Sequence, residues 1–266
     1  MPASRLILSR SKTHVSNDAQ HCCGLAPVAA PRPSDVVSPR TREALLAIEN
    51  AGALISWCGL SVEDDRVRIA LLQMYAERGR APAIVDLAIR VGLSASQLEA
   101  TLTSLEVRDV IVRDNDTGRI VGAYPFTEAQ TEHRVDLGAQ TLNAMCAIDA
   151  LGIGAMYDRD VRIRSTCRLC GTSIEIATLN RGRELAYWTP EMAIVWSGIS
   201  YEHACAANSL CKVLAFFCSD EHLAAWRRQQ ANESPGFRLS MEEGLEAARA
   251  IFERSLKTGP SGAITT

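Results

Sequence analysis

Two stretches carry residue types able to do chemistry together. One is Met145-Cys146-Ala147-Ile148-Asp149-Ala150-Leu151, and the other is a second thiol, Cys211, inside Ser209-Leu210-Cys211-Lys212-Val213. A cysteine followed at i+3 by an aspartate, among good helix formers, places thiol and carboxylate on one helix face with Cβ atoms roughly 5–6 Å apart. Such a pair can exchange a proton, and a helix holds the two groups more rigidly than a loop does. Met145, Ile148 and Leu151 predict that this helix is packed. The same spacing also suits a buried structural cysteine beside a solvent-facing aspartate, because free cysteine is among the most buried residue types. Spacing alone leaves both readings open.

A chain of 266 residues with 47% hydrophobic and 22% charged residues is long enough to bury a full core and to form two modest domains. Its formal net charge of -3 gives no electrostatic reason for general affinity to nucleic acid or anionic membrane. No uninterrupted apolar run reaches the ~18 residues that a membrane-spanning helix needs. Cysteines stand at 22, 23, 58, 146, 167, 170, 205, 211 and 218. This odd number, without a secretory signal, predicts reduced thiols in a cytoplasmic protein rather than a disulfide framework. Such thiols are free to bind soft metals.

The elements that must position these groups follow in chain order. Residues 1–40 lack sustained apolar periodicity and read as a disordered leader, whose Cys22-Cys23 pair is either incidental or a pick-up point for a thiophilic metal. Residues 41–128 read as a winged-helix-like domain. A helix over 41–50 precedes one with Val67, Leu71, Leu72 and Tyr75 inward, one opened by Pro82, and one capped by Ser94 with Leu98, Leu102 and Leu105 inward. Strands at 110–113 and 119–121 then flank a hairpin turn at 114–118. The third helix of the winged-helix pattern would enter a DNA groove, yet its expected outward positions (Ser96, Gln97, Glu99, Ala100, Thr101, Thr103, Ser104, Glu106) carry no Lys or Arg. A packing or lid role is therefore expected, with no nucleic-acid partner.

Residues 129–259 read as a mixed α/β catalytic domain with a small sheet flanked by helices, and 260–266 as a flexible tail; the fold class is α+β. A helix over 137–151 is expected to carry Cys146 and Asp149 and to end at Gly152-Ile153-Gly154. Alternation predicts strands at 161–165 and 173–177 around Cys167-Arg168-Leu169-Cys170-Gly171, half of a zinc knuckle. Zinc needs four ligands, and neither a second Cys-x-x-Cys nor a spaced His pair follows. His203, Cys205 and Cys218 would complete a site only by tertiary accident, so reduced thiols are expected at Cys167 and Cys170. Tyr187-Trp188-Thr189-Pro190 marks a turn, and Met192–Trp196 and Val213–Phe217 read as strands, with Cys205 and Cys218 packed beside the latter. Ser219 caps a helix that carries His222 on its surface, and Ser240-Met241-Glu242-Glu243 is a capping box opening the last one. No phosphate loop, Ser-His-Asp elbow or His-Glu-x-x-His motif is present.

From about Arg66 to Leu256 the sequence resembles the organomercurial (alkylmercury) lyases, most densely at Cys146–Leu151 and from Ser209-Leu210-Cys211 through Phe216-Phe217. The resemblance implies a winged-helix-like N-terminal domain and a catalytic set of Cys146, Asp149 and Cys211. It also implies protonolysis of a carbon–mercury bond, with substrate and product mercury on Cys146 and Cys211. No organic cofactor or resident metal is implied, and small thiols or a mercuric reductase accept the Hg(II). Cys167 matches a structural cysteine of the family, whereas Cys170, Lys212 and Gly152-Ile153-Gly154 depart from it. Two alternatives stand beside this reading: a thiol-based metal-responsive winged-helix regulator, and a non-catalytic mercury-binding homologue.

Overall fold

The computed structural model describes residues 36–54, 57, 59–202, 205–230 and 235–257. Cys22, Cys23, Cys58, His203, nearly all of the leader and the C-terminal tail lie outside the described residues.

Helix α1 (Pro39–Asn50) is opened by Ser38, whose side chain accepts from the Thr41 N–H. Helix α2 (Val62–Arg78) is capped by Ser61 and ended by Gly79 in the left-handed region. α3 (Ile84–Val91) ends at Gly92 in the same way, and α4 (Ala95–Val107) opens with a capping box between Ser94 and Gln97. The inward residues are those expected from periodicity, with Leu71, Leu72, Tyr75, Leu87, Leu98, Leu102 and Leu105 all buried. Thr101, expected to face outward, is buried as well. On the outer face Glu99 pairs with Arg113 at 2.8 Å.

Strands β1 (Ile111–Arg113) and β2 (Ile120–Ala123) form the expected hairpin, its turn fixed by Asp114 Oδ1 accepting from the Thr117 N–H and hydroxyl. The hairpin does not end there. β3 (Phe126–Thr127), β4 (Arg134–Leu137), β5 (Gln140–Ala144), β6 (Arg162–Thr166), β7 (Ser173–Leu179) and β8 (Glu184–Thr189) continue it into one eight-stranded sheet. Its order is β1-β2-β3-β5-β4-β6-β7-β8, and every pairing is antiparallel. A second antiparallel sheet has the order β10-β9-β11, from β9 (Ile194–Gly198), β10 (Leu214–Phe217) and β11 (Gly236–Leu239). The architecture is thus mixed α and β with antiparallel sheets, and the main sheet is larger than the sequence predicts.

The expected helix over 137–151 is replaced by the β4–β5 hairpin and then α5 (Ala147–Tyr157). Val135, Leu137, Leu142 and Ala144 alternate inward at period two, and Gly138, at positive φ, makes the turn. Nor do Gly152 and Gly154 end the helix. Both lie inside α5, which is buried from Ala147 to Met156 and packs on α7 (Met241–Phe252). A Cβ at Gly152 would strike the Phe252 ring, so the glycine permits close approach of two helices. Tyr187, Trp188 and Thr189, expected in a turn, belong to β8, and the chain turns after them. Helix α6 (Asp220–Gln229) starts at Ser219, as expected. A single hydrophobic core runs from Leu45 and Leu72 through Leu151 to Phe217 and Phe252.

Candidate active site

Cys146 is the N-cap of α5 rather than a residue within it. Its backbone is extended, and its Sγ accepts the Asp149 N–H at 3.4 Å. The i,i+3 relation with Asp149 therefore holds, but as cap to third helical residue. A sulfur stands where a serine or aspartate oxygen usually satisfies an orphan helix N–H. Cys211 comes from the other side of the core, on the second of two 3-10 turns (Ala206–Asn208 and Leu210–Val213) that lead into β10. Its Sγ donates to Asp149 Oδ2 at 3.7 Å. The two sulfurs and a carboxylate oxygen all lie within 4.8 Å of one another. Cys146, Asp149 and Cys211 are 1%, 4% and 6% exposed, so bulk water does not compete for them.

Burial dominates the electrostatics. It pushes the Cys146 thiol up to about 11 and the Asp149 carboxyl up to about 7. Cys211 is held well above the ordinary thiol range, first by its hydrogen bond with Cys146 and then by burial. Both thiols are neutral at rest. A resting thiolate supported by Lys212 is not seen: Lys212 is exposed, while Cys211 is buried. Thiolate character must arise when a metal engages sulfur, since coordination deprotonates a thiol outright.

A buried network that sequence reasoning missed positions the Cys211 segment. Asp109, just past the end of α4 and at positive φ, accepts from the Tyr124 hydroxyl at 2.9 Å, the Ala206 N–H at 2.8 Å and the Tyr201 hydroxyl at 3.2 Å. The Tyr124 oxygen in turn accepts the Ala207 N–H at 2.8 Å, and Trp57 Nε1 donates to the Asp109 carbonyl at 2.9 Å. Burial keeps the Asp109 carboxyl above its usual range despite three donors. The available sequence signal was an aspartate closing a helix, where a negative charge opposes the helix dipole and needs another purpose.

Of the remaining cysteines, Cys205 is half-buried, and its carbonyl accepts from the Ser209 hydroxyl at 2.7 Å. Cys218 leaves the far end of β10, and its sulfur gathers with those of Cys167 and Cys170, not with the Cys146–Cys211 pair. His222, expected on a helix surface, has its Nδ1 2.9 Å from the Cys218 sulfur.

The family model for alkylmercury lyase matches residues 126–253, a stretch that contains all three site residues. The alkylmercury lyase of Staphylococcus epidermidis is 29% identical over 191 residues, covering 72% of this chain and 83% of that protein. That of Bacillus cereus is 27% identical over 192 residues with the same coverage. A crystal structure of the mercury-bound form of MerB2 superposes with a TM-score of 0.64 at 26% identity, covering 80% of this chain and 98% of that one. Family model, curated relatives and a solved structure converge on one stretch, over which the chain is similar to the alkylmercury lyases.

Proposed function

We propose that this protein is an organomercurial lyase that cleaves a carbon–mercury bond by protonolysis, releasing a hydrocarbon and Hg(II), in mercury detoxification. The observation that carries the reading is the convergence of two buried sulfurs and one buried carboxyl within 4.8 Å. We assign catalysis to Cys146, Asp149 and Cys211.

Mercury is soft and prefers sulfur. Cys146 displaces the counter-ligand X of R–Hg–X, and its thiol proton leaves with X. As Cys211 joins the mercury, its proton passes to Asp149 along the 3.7 Å contact. Two thiolates then raise the electron density on the mercury-bound carbon, and neutral Asp149 gives that proton to carbon. The balance is R–Hg–X plus two thiols giving R–H, HX and mercury bridged by two sulfurs, with Asp149 restored as carboxylate. A carboxyl with a pKa near 7 suits both halves of this exchange. Small thiols or a mercuric reductase then remove Hg(II), and no organic cofactor takes part.

Residues 41–128 serve in this reading as a winged-helix-like packing unit. The outer face of α4 carries Glu99, and the nearby Arg113 is committed to it, so a DNA-reading regulator is disfavoured. A cytoplasmic location agrees with the free cysteines and with the lack, among the described residues, of any helix long and apolar enough to cross a membrane. The test is incubation of the purified protein with phenylmercury or methylmercury and excess small thiol. Benzene or methane is expected, and each of Cys146→Ser, Asp149→Asn and Cys211→Ser should abolish it. No hydrocarbon above the protein-free control would overturn the assignment.

A further inference from the structure

A second cluster of metal-binding side chains lies away from the lyase site. Cys167 follows β6, and the chain reverses through Arg168-Leu169-Cys170-Gly171. The Cys167 N–H donates to the Thr172 carbonyl at 2.8 Å and the Gly171 N–H to the Cys167 carbonyl at 2.9 Å. Gly171 has φ +74, a conformation that favours glycine, so the Cys-x-x-Cys-Gly turn has a backbone reason for its last residue. The other two groups come from the β10–α6 junction: Cys218 directly follows the strand, and His222 sits in the first turn of α6, ordered by the Ser219 cap. The two halves are joined by the Arg168 N–H donating to the Phe216 carbonyl at 3.0 Å.

Four ligand atoms converge. Cys170 Sγ is 3.8 Å from Cys218 Sγ, and His222 Nδ1 is 3.7 Å from Cys167 Sγ and 2.9 Å from Cys218 Sγ. All four atoms lie within 4.8 Å of one another. A tetrahedral zinc ion, with bonds of about 2.3 Å to sulfur and 2.0–2.1 Å to nitrogen, separates sulfurs by ~3.8 Å and sulfur from nitrogen by ~3.5 Å. Hydrogen bonds that involve sulfur are weak and give little reason for three cysteines and an imidazole to meet at these distances. A set of three cysteines and one histidine, with no fourth position left for substrate, is a structural rather than a catalytic zinc set.

We propose that Cys167, Cys170, Cys218 and His222 bind one Zn(II) as a resident structural ion, separate from the site that processes mercury. The ion ties the β6–β7 turn to the far end of β10, the strand whose near end carries the turn holding Cys211. It thereby completes the half-knuckle with ligands that sequence spacing did not offer.

The test uses the full chain, expressed in mercury-free, zinc-replete cells and purified without chelators. Metal analysis should give about one zinc per chain, and cobalt substitution should give thiolate-to-cobalt charge transfer with the strong visible bands of a tetrahedral centre. Cys170→Ser and His222→Ala, both at positions outside the core, should each reduce zinc several-fold and lower the Tm, while Cys146→Ser should keep its zinc. Three outcomes would overturn the proposal. The wild-type protein takes up neither zinc nor cobalt; zinc is retained in full by the Cys170→Ser, His222→Ala double variant; or zinc is lost from Cys146→Ser.

Discussion

Asp149 is the residue on which the pH behaviour turns. Its folded pKa of about 7 stands above the ordinary 3.8 because burial disfavours the charge. A raised folded pKa means that the native state binds the proton more tightly, so this group's contribution to stability is full below pH 3.8 and is lost as pH rises to about 7. Asp149→Asn should therefore abolish turnover yet stabilise the protein. The gain should grow between pH 5 and 7 and then level off, at ~1–4 kcal/mol, as read by chemical denaturation at several pH values. In the wild type, kcat/KM should rise with pH through about 7, because only the carboxylate can accept the Cys211 proton. A flat profile from pH 5.5 to 8.5 would contradict that role. Tyr124→Phe removes the hydroxyl that bridges Asp109 and the Ala207 N–H, leaving buried groups short of a partner at a cost of about 1–3 kcal/mol. Its expected signature is a lowered kcat with intact Cys146 reactivity, since only the Cys211 segment loosens. At this scale the chemistry-bearing residues were legible, because thiols and an acid at short spacing stand out in a string of letters. Asp109 and Tyr124 were not: their partners are backbone N–H groups more than 80 positions away, which no local pattern records.

Among the elements, α5 shows most clearly where pattern and packing part. Glycines at 152 and 154 read as a helix stop, since glycine lowers helix propensity, yet tertiary packing overrides that preference. Gly154 lies against Gly182, and a side chain at either would run into the backbone of the other. Gly154→Ala is expected to destabilise by about 1–3 kcal/mol in thermal or urea unfolding, because neither backbone can yield cheaply. Gly152→Ala would drive a Cβ into the buried Phe252 ring, with the Ala248 carbonyl at 3.2 Å behind it, so it should destabilise at least as much. Two alanine variants as stable as the wild type would show that α5 does not pack as described. The β4–β5 hairpin was missed: Val135, Leu137, Leu142 and Ala144 alternate inward, but the helix-forming run from Ala144 onward drew the expected helix back over β5 and the end of β4. Helices α2, α3 and α4, with caps and stops written in Ser61, Gly79, Gly92 and Ser94, needed no tertiary information.

At the scale of the whole molecule, the order of helices followed by a hairpin was readable from local signals, whereas the pairing of β3 with β5 was not, because a two-residue strand leaves almost no pattern. That short strand joins the first half of the chain to the second. Glu128, immediately after it, accepts from the Tyr75 hydroxyl at 2.5 Å and the Ala81 N–H at 2.8 Å, locking α2 to the same seam. Separating the chain between Glu128 and Ala129 into two fragments would leave β5 with β4 on one side only and expose unpaired N–H and C=O groups on its β3 side. Each fragment made alone should aggregate or stay unfolded by circular dichroism, and co-expression should restore a soluble, active pair. The front half is consequently not an interchangeable module: a chimera that swaps it for another three-helix unit inherits activity only if the donor supplies a matching edge at Phe126-Thr127.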